Sequence, residues 1–198
     1  MPMPRRTALL LAPTLLLPRA AGAMPASVAF RVMREGRPVG FHRVTVTPLP
    51  DGVRATTQLE IVVKLLGFTV YSYSHRGEEE WRGDRLVSMR ARAERQGTVT
   101  ELSLRAEAGG LVTANGQRLE ANAAPLSWWR EASMPHPLFD AVTAESLPKP
   151  ARRLPGEGRR WAVEGNPGGE AVYSGPDGAW TGFTTTGEDG SSIVYEPA

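Results

Sequence analysis

The side chains best suited to polar chemistry alternate along one short stretch of the chain. They are Tyr71, Tyr73, His75, Glu79 and Trp81. Period two places all five on one face of a β-strand unless a bulge intervenes. Aromatic rings line apolar pockets, a neutral imidazole donates and accepts hydrogen bonds, and a buried carboxylate with a raised pKa acts as acid or base. The stripe predicts a ligand-facing surface or, with His75 and Glu79 as a pair, acid–base chemistry.

Structural roles are the alternative for both polar residues. His75 then bonds to the backbone or to Glu79, and Glu79 pairs with Arg76 or His75 as a buried ion. Glu78 and Glu80 flank Glu79 with the opposite parity, as expected of a solvated face.

The sequence predicts no metal site and no cofactor. His42, His75 and His136 have no ligand spacing to one another or to a glutamate on a helix. The chain has no cysteine, which excludes disulfides and thiolate catalysis. Nucleophile, phosphate-loop and dinucleotide motifs are missing as well. No catalytic residue is therefore assigned, and a non-enzymatic function is favoured.

The strand before this stripe is long and regular. From Val53 to Leu65 the odd positions are apolar or small and the even positions mostly polar, the pattern of a strand with one buried face. At roughly 3.3 Å per residue it spans about 40 Å, well beyond the usual five or six residues. Such length predicts a strand that curves around a barrel or half-barrel.

The turn between the two strands decides which face the stripe occupies. A two-residue Leu66-Gly67 loop needs Leu66 at positive φ, whereas a three-residue loop ending at Gly67 needs only the glycine there. The sequence favours the second, which joins the aromatic stripe to the apolar face. It pairs Val62 with Val70, Ile61 with Tyr71, and Leu59 with Tyr73.

Apolar side chains lie at this turn, although hairpin tips are normally polar. They are Leu65, Leu66 and Phe68. We expect them either to be covered by the tryptophans near residue 128 or to form a rim that meets lipid or a partner.

Turn signals divide the rest of the chain into short strands. They recur at intervals of about 10 to 16 residues, as at Pro50-Asp51-Gly52 and Asn115-Gly116. A change of parity between Phe41 and Val44 predicts a bulge near His42-Arg43. Ser127 is a candidate cap for one short helix that begins at Trp128. The predicted fold class is all-β: an antiparallel curved sheet, as a half-barrel or partly open β-barrel, with one short helix.

The first 23 residues have the composition of a cleaved signal peptide. Arg5-Arg6 precede an apolar run from Ala8 to Leu17, and small residues end at Ala23. The run is too short, and too interrupted by proline, to span a membrane. We expect cleavage near Ala23 and a periplasmic or secreted protein in which residues 24–198 form a single antiparallel β domain. The paired arginines leave both twin-arginine and general secretory export open.

Net charge argues against nucleic acid as a partner. The full chain has 23 basic and 21 acidic residues. Residues 1–23 carry three arginines and no acid, so the mature chain has 23 − 3 = 20 basic against 21 acidic residues. It is nearly neutral, without the basic excess of a nucleic-acid-binding surface.

Several motifs resemble a family of uncharacterised exported bacterial β-proteins, the domain of unknown function six-one-three-four. They are His75-Arg76, Glu79, Trp81, Leu86-Val87-Ser88, Gly40 with Phe41-His42-Arg43, and Pro125 with Ser127 and Trp128 or Trp129. The resemblance covers about residues 28 to 145. The chain departs from the family at Gly83-Asp84, where the order is reversed, at Ala93, where threonine is usual, and in a compressed carboxyl-terminal part. The resemblance implies a β fold and export, and no activity.

We therefore hypothesise a binder of a lipid or another apolar or amphipathic small molecule in a β half-barrel. Its predicted ligand-binding residues are Leu59, Ile61, Val70, Tyr71, Tyr73, His75, Glu79, Trp81 and Trp128. The alternative is an envelope assembly or scaffolding protein that contacts another envelope protein through Leu65, Leu66 and Phe68. An enzyme that uses His75 and Glu79 is the third hypothesis.

Overall fold

The structure, a computed structural model, describes residues 27–165 and 168–198. Its elements are β1 (Val28–Arg34), β2 (Arg37–Leu49), β3 (Gly52–Leu65), β4 (Phe68–Arg82), β5 (Arg85–Arg95), β6 (Thr98–Glu107), β7 (Gly110–Thr113), β8 (Arg118–Leu119), β9 (Ala124–Pro125), a 3₁₀ turn (Glu131–Ser133), β10 (Leu138–Phe139), β11 (Arg152–Leu154), β12 (Arg159–Val163), β13 (Gly169–Ser174), β14 (Ala179–Thr186) and β15 (Ser192–Pro197). The predicted signal peptide lies outside the described residues.

Within the described residues, thirteen strands form one sheet, in the order β11 to β15 followed by β1 to β8. Every pair in it is antiparallel, including β1 with β15, which joins the late strands to the early ones. The sheet is not closed into a barrel, and β8 and β11 are its edges. Outside this sheet, β9 and β10 pair in parallel. The predicted all-β antiparallel fold is confirmed.

The sheet curls strongly, because strands far apart in its order approach the same residues. β5 and the β14–β15 turn are about five strand spacings apart, roughly 24 Å along a flat sheet. Yet Arg95 at the end of β5 forms an ion pair of 2.6 Å with Glu188 in that turn. One face is therefore concave, and the buried core lies against it.

The β3–β4 hairpin differs from the predicted one. Its loop is the two-residue Leu66-Gly67, with φ values of 52° and 88°, as in a type I′ turn. Val70 is an extra residue in β4, so Ile61 pairs with Tyr73. The predicted three-residue loop and its pairings are wrong. A two-residue loop followed by the extra residue Val70 brings the aromatic stripe to the apolar face, which the prediction had attributed to a longer loop. The aromatic stripe still shares the apolar face, as predicted.

The predicted bulge in β2 is present three residues earlier than expected. Val32 pairs with Gly40 and Met33 with Pro38, which leaves Val39 as the extra residue. A Cβ at Gly40 would lie 1.8 Å from the carbonyl oxygen of Glu60, so only glycine permits this approach of β2 to β3. Beyond the bulge, His42 and Val44 face the core and Phe41 faces outward.

Residues 120–147, here called the inner segment, cross the concave face. They hold β9, β10 and the 3₁₀ turn at Glu131–Ser133, whose cap is Arg130 without a capping side chain. The predicted helix is thus a single 3₁₀ turn, and Ser127 does not cap it. No helix among the described residues is long and apolar enough to cross a membrane.

Candidate functional site

Side-chain exposure is high at one end of the β3–β4 ladder and low towards the other. Directly paired residues lie on the same face of a sheet, so the concave face carries Leu65 with Phe68, then Ile61 with Tyr73, Leu59 with His75, Ala55 with Glu79, and Val53 with Trp81. Leu65 and Phe68 are 64% and 76% exposed, while Glu79 and Trp81 are 2% and 1% exposed. The ladder therefore runs from a bare upper end to a sealed lower end.

The half-buried middle of this ladder is the candidate site, here called the open face. It consists of Leu59, Ile61, Tyr71, Tyr73 and His75, all of intermediate exposure. These five are among the predicted ligand-binding residues, and the ladder brings them together. The guanidinium of Arg95 lies over the ring of Tyr71, 5.6 Å from the ring centroid. The Arg95–Glu188 ion pair therefore borders the site.

The lower end is sealed by the inner segment around the carboxylate of Glu79. Its Oε2 atom accepts hydrogen bonds from the indole N–H groups of Trp81 at 2.8 Å and Trp129 at 3.2 Å, and Ser127 supplies a third. Burial raises the pKa of Glu79, while these three bonds and the charge of Arg130 act to lower it. Glu79 thus fastens the inner segment to β4.

Arg130 completes this cluster from the other side. Its guanidinium lies 4.5 Å from the centroid of Trp81 and donates to Gly83 O at 3.1 Å and Asp84 Oδ1 at 2.6 Å. Trp128, the residue before Trp129, has φ 66°, and the two indoles contact different strands, since Trp129 meets Glu79 of β4. Trp128 packs on Phe183 at 4.5 Å.

Three of the predicted ligand-binding residues therefore lie behind the open face. Glu79, Trp81 and Trp128 are at most 9% exposed and contact the chain itself. Val70 is the bulged residue and is 49% exposed, at the upper end. Glu79 and Trp81 lie at the sealed end of the ladder, while Trp128 packs on Phe183 of β14. That any of the three contacts a ligand stays a prediction.

His42, which is not among the predicted ligand-binding residues, is also buried on the concave face. It lies one strand from Leu59, which in turn pairs with His75. Its ring is 5% exposed and meets the edges of Trp180 and Tyr195 at 5.1 and 5.5 Å. Burial, and secondarily His75, lowers the pKa of His42 to about 3. The parity change in β2 was the signal that could have placed it on the concave face.

Three of the four nitrogens of these two imidazoles lack a protein partner within the described residues. Among the described residues, neither nitrogen of His42 nor Nε2 of His75 has a hydrogen-bond partner, and all three atoms are buried. Burial also lowers the pKa of His75, against a smaller opposing effect of Asp140. Both rings are therefore neutral at pH 7, and each offers one donor and one acceptor.

Asp140 brings the inner segment close to the open face. Its Oδ1 atom accepts from the backbone N–H groups of Val142 and Thr143, each at 2.7 Å. Burial, followed by the nearby charge of Asp140, raises the pKa of Tyr73 to about 12. A negative charge therefore lies beside Tyr73 and His75.

The acid–base pair is not assembled. His75 and Glu79 are four residues apart along one strand, roughly 13 Å, and the carboxylate is bound to two indoles and a serine. No group of three or more histidine, cysteine, aspartate or glutamate residues could hold a metal ion in the part of the chain that the structure describes.

These features define a class of protein: a curved antiparallel sheet whose concave face is half sealed by its own chain and half open. Residues 30–198 match the family described as a domain of unknown function (DUF6134), and the chain belongs to that family. The resemblance found in residues 28 to 145 is confirmed and extends to the last strand.

Other known proteins add little. The chain is similar to a crystal structure of a DUF1089 family protein from Pseudomonas aeruginosa, at 14% sequence identity and a TM-score of 0.38, over 89% of this chain and 94% of that one. No curated protein matches the chain.

Proposed function

We propose that the protein is a non-enzymatic binder of an apolar or amphipathic ligand, held on the open face. The exposure gradient along the β3–β4 ladder carries this proposal. Native sheets bury their apolar face, and here the lower half is buried while Ile61, Tyr71 and Tyr73 are only half covered within the described residues. A ligand laid along the ladder would complete the burial that the inner segment begins.

The energetic scale suits a carrier. At about 25 cal/mol per Å² of apolar surface, a ligand chain that buries about 300 Å² would gain roughly 7 kcal/mol before entropic costs. No covalent step is required. The Leu65 and Phe68 pair continues the same face upward, so a chain longer than the open face would extend onto the tip, residues 65–70.

Replacing Tyr73 with serine tests this site. The change removes most of an aromatic surface at the centre of the open face, and we expect the affinity for an uncharged apolar probe, N-phenyl-1-naphthylamine, to fall about tenfold. The measurement is a fluorescence titration of the purified mature protein. Phe41→Ser is the matched control, because Phe41 is 38% exposed but lies on the convex face.

Two outcomes would contradict the proposal. One is a wild-type protein that leaves the probe fluorescence unchanged. The other is an equal loss of affinity in the Tyr73 and Phe41 variants, which would show that the probe does not bind specifically to the concave face.

A second candidate function, docking of another envelope protein, is favoured by the tip itself. Leu66 is 90% exposed and holds a positive φ that disfavours leucine, and strained backbone of this kind clusters at functional sites. The double variant Leu66→Asn with Phe68→Ser separates the two functions in the same titration. It keeps the wild-type affinity if the tip serves only a partner, and weakens binding if the tip is the rim of the ligand site.

Export is part of the proposal and is supported by the composition of residues 1–23. The ligand would then be met in the periplasm or outside the cell. We expect protein recovered from the periplasm to have the intact mass of a chain that begins near Met24. Protein that stays in the cytoplasm with its first 23 residues intact would contradict it.

A further inference from the structure

The unpartnered nitrogens beneath the open face are unusual. A buried polar group without a hydrogen bond costs about 1–3 kcal/mol, and such groups are normally satisfied. His42 Nδ1, His42 Nε2 and His75 Nε2 are all buried, with no partner among the described protein groups. Three such atoms on two rings indicate that their partners come from outside the protein.

The two rings belong to one row of the sheet. His42 pairs with Leu59, and Leu59 pairs with His75, so two strand spacings, roughly 10 Å, separate their backbones. The rings are close enough that His75 contributes to the lowered pKa of His42. This row lies directly below Ile61 and Tyr73, at the depth where the open face ends and the sealed end begins.

Resting on the proposed function, we infer that the ligand ends in an uncharged, hydroxyl-bearing head group, which is bound between His42 and His75 at the lower end of the open face. A hydroxyl donates one hydrogen bond and accepts two. It is therefore the simplest group that satisfies both the N–H and the bare nitrogen of neutral imidazoles.

Charged head groups fit this row poorly. A carboxylate only accepts hydrogen bonds, so it leaves the bare nitrogens unpaired, and the nearby Asp140 repels it. An ammonium only donates, so it leaves the imidazole N–H groups unpaired, although Asp140 would attract it. Burial of either charge also carries a desolvation cost that an uncharged hydroxyl avoids.

The test compares three probes with the same ten-carbon chain: 1-decanol, decanoate and decylamine. Each is titrated against the mature protein loaded with N-phenyl-1-naphthylamine at pH 7. Because the three chains are equally long, a difference in displacement reports the head group. We expect decanol to displace the probe at a concentration roughly tenfold lower than either charged amphiphile, the effect of about one hydrogen bond.

The variant His75→Phe removes one of the two imidazoles, and we expect the preference for decanol to fall to about one. Arg76→Gln, the next residue along β4 and exposed on the convex face, is the matched control and should keep the full preference. Far-ultraviolet circular dichroism confirms that both variants fold.

The outcomes separate the two levels of inference. Equal displacement by all three probes, or tighter binding of decanoate or decylamine, overturns the hydroxyl head group and leaves the apolar site in place. A preference for decanol that survives in His75→Phe also overturns it. A protein that binds neither the fluorescent probe nor decanol overturns this inference and the proposed function together.

Discussion

Replacing Glu79 with alanine is expected to lower the free energy of unfolding by about 4 kcal/mol, because a buried carboxylate that accepts three hydrogen bonds is lost. The variant leaves the indole N–H groups of Trp81 and Trp129 buried without an acceptor. It also removes a negative charge near Arg130, which keeps its ion pair with Asp84 at 2.6 Å. Denaturation in urea, followed by tryptophan fluorescence, measures the change.

The size of the effect follows from the hydrogen bonds of one buried carboxylate. Each buried donor left unpaired costs about 1–3 kcal/mol, and Glu79 accepts from Trp81, Trp129 and Ser127. These contributions overlap because they concern one cluster. Glu79→Gln keeps an acceptor oxygen, so we expect it to cost about half as much as the alanine variant.

Glu78→Ala is the matched control for Glu79→Ala. Glu78 is the neighbouring residue, faces the convex side, and meets Arg54 only at 3.9 Å in an exposed ion pair, so its removal should change stability by less than about 0.5 kcal/mol. A Glu79→Ala variant that loses less than about 1 kcal/mol would show that the inner segment is held by packing alone.

The fold could be predicted because its main signal is local. Alternation in β3 and β4 needs only period two, and the turn residues between strands set the antiparallel order. The hairpin register could not be predicted, because a bulge at Val70 and a two-residue loop shift the pairing by the same parity as a three-residue loop. Leucine is rarely found at the positive φ that the first residue of a type I′ turn requires. The presence of Leu66 therefore favoured the three-residue loop, which is not the one formed.

The candidate site could be predicted only as far as one hairpin defines it. Residues of the β3–β4 ladder share a face by parity, so Leu59, Ile61, Tyr73 and His75 were assembled correctly. Which part of that face is covered depends on the inner segment, whose Trp129 meets Glu79 across 50 residues of sequence. No local pattern encodes such a contact. Asp140 escaped prediction for the same reason.

The second large effect concerns acid stability, and its source is His42. Its pKa is 6.5 in the unfolded reference and about 3 in the folded protein. Between these values the unfolded chain binds a proton that the folded protein excludes, so stability is complete above about pH 6.5 and is lost as the pH falls towards 3. The loss is about 5 kcal/mol at pH 3, a large part of the 5–15 kcal/mol that typically holds a domain together.

In the variant His42→Phe this loss should disappear, so we expect its free energy of unfolding to change by about 5 kcal/mol less than that of the wild type between pH 7 and pH 3. The phenyl ring also has no unpaired nitrogens to bury, so the variant should be no less stable at pH 7. His75, with its pKa lowered in the same direction, and the carboxylates continue to titrate in both proteins, and their effect cancels in the comparison.

Thr57→Val is the matched control for His42→Phe, since Thr57 is a polar residue of the same concave face, 4% exposed, that cannot titrate. Its substitution should shift the whole stability curve without changing its slope against pH. Parallel curves for the wild type and His42→Phe would contradict the prediction. They would mean that the imidazole finds a partner able to stabilise its charged form, which would also remove the reason for a neutral head group beside it.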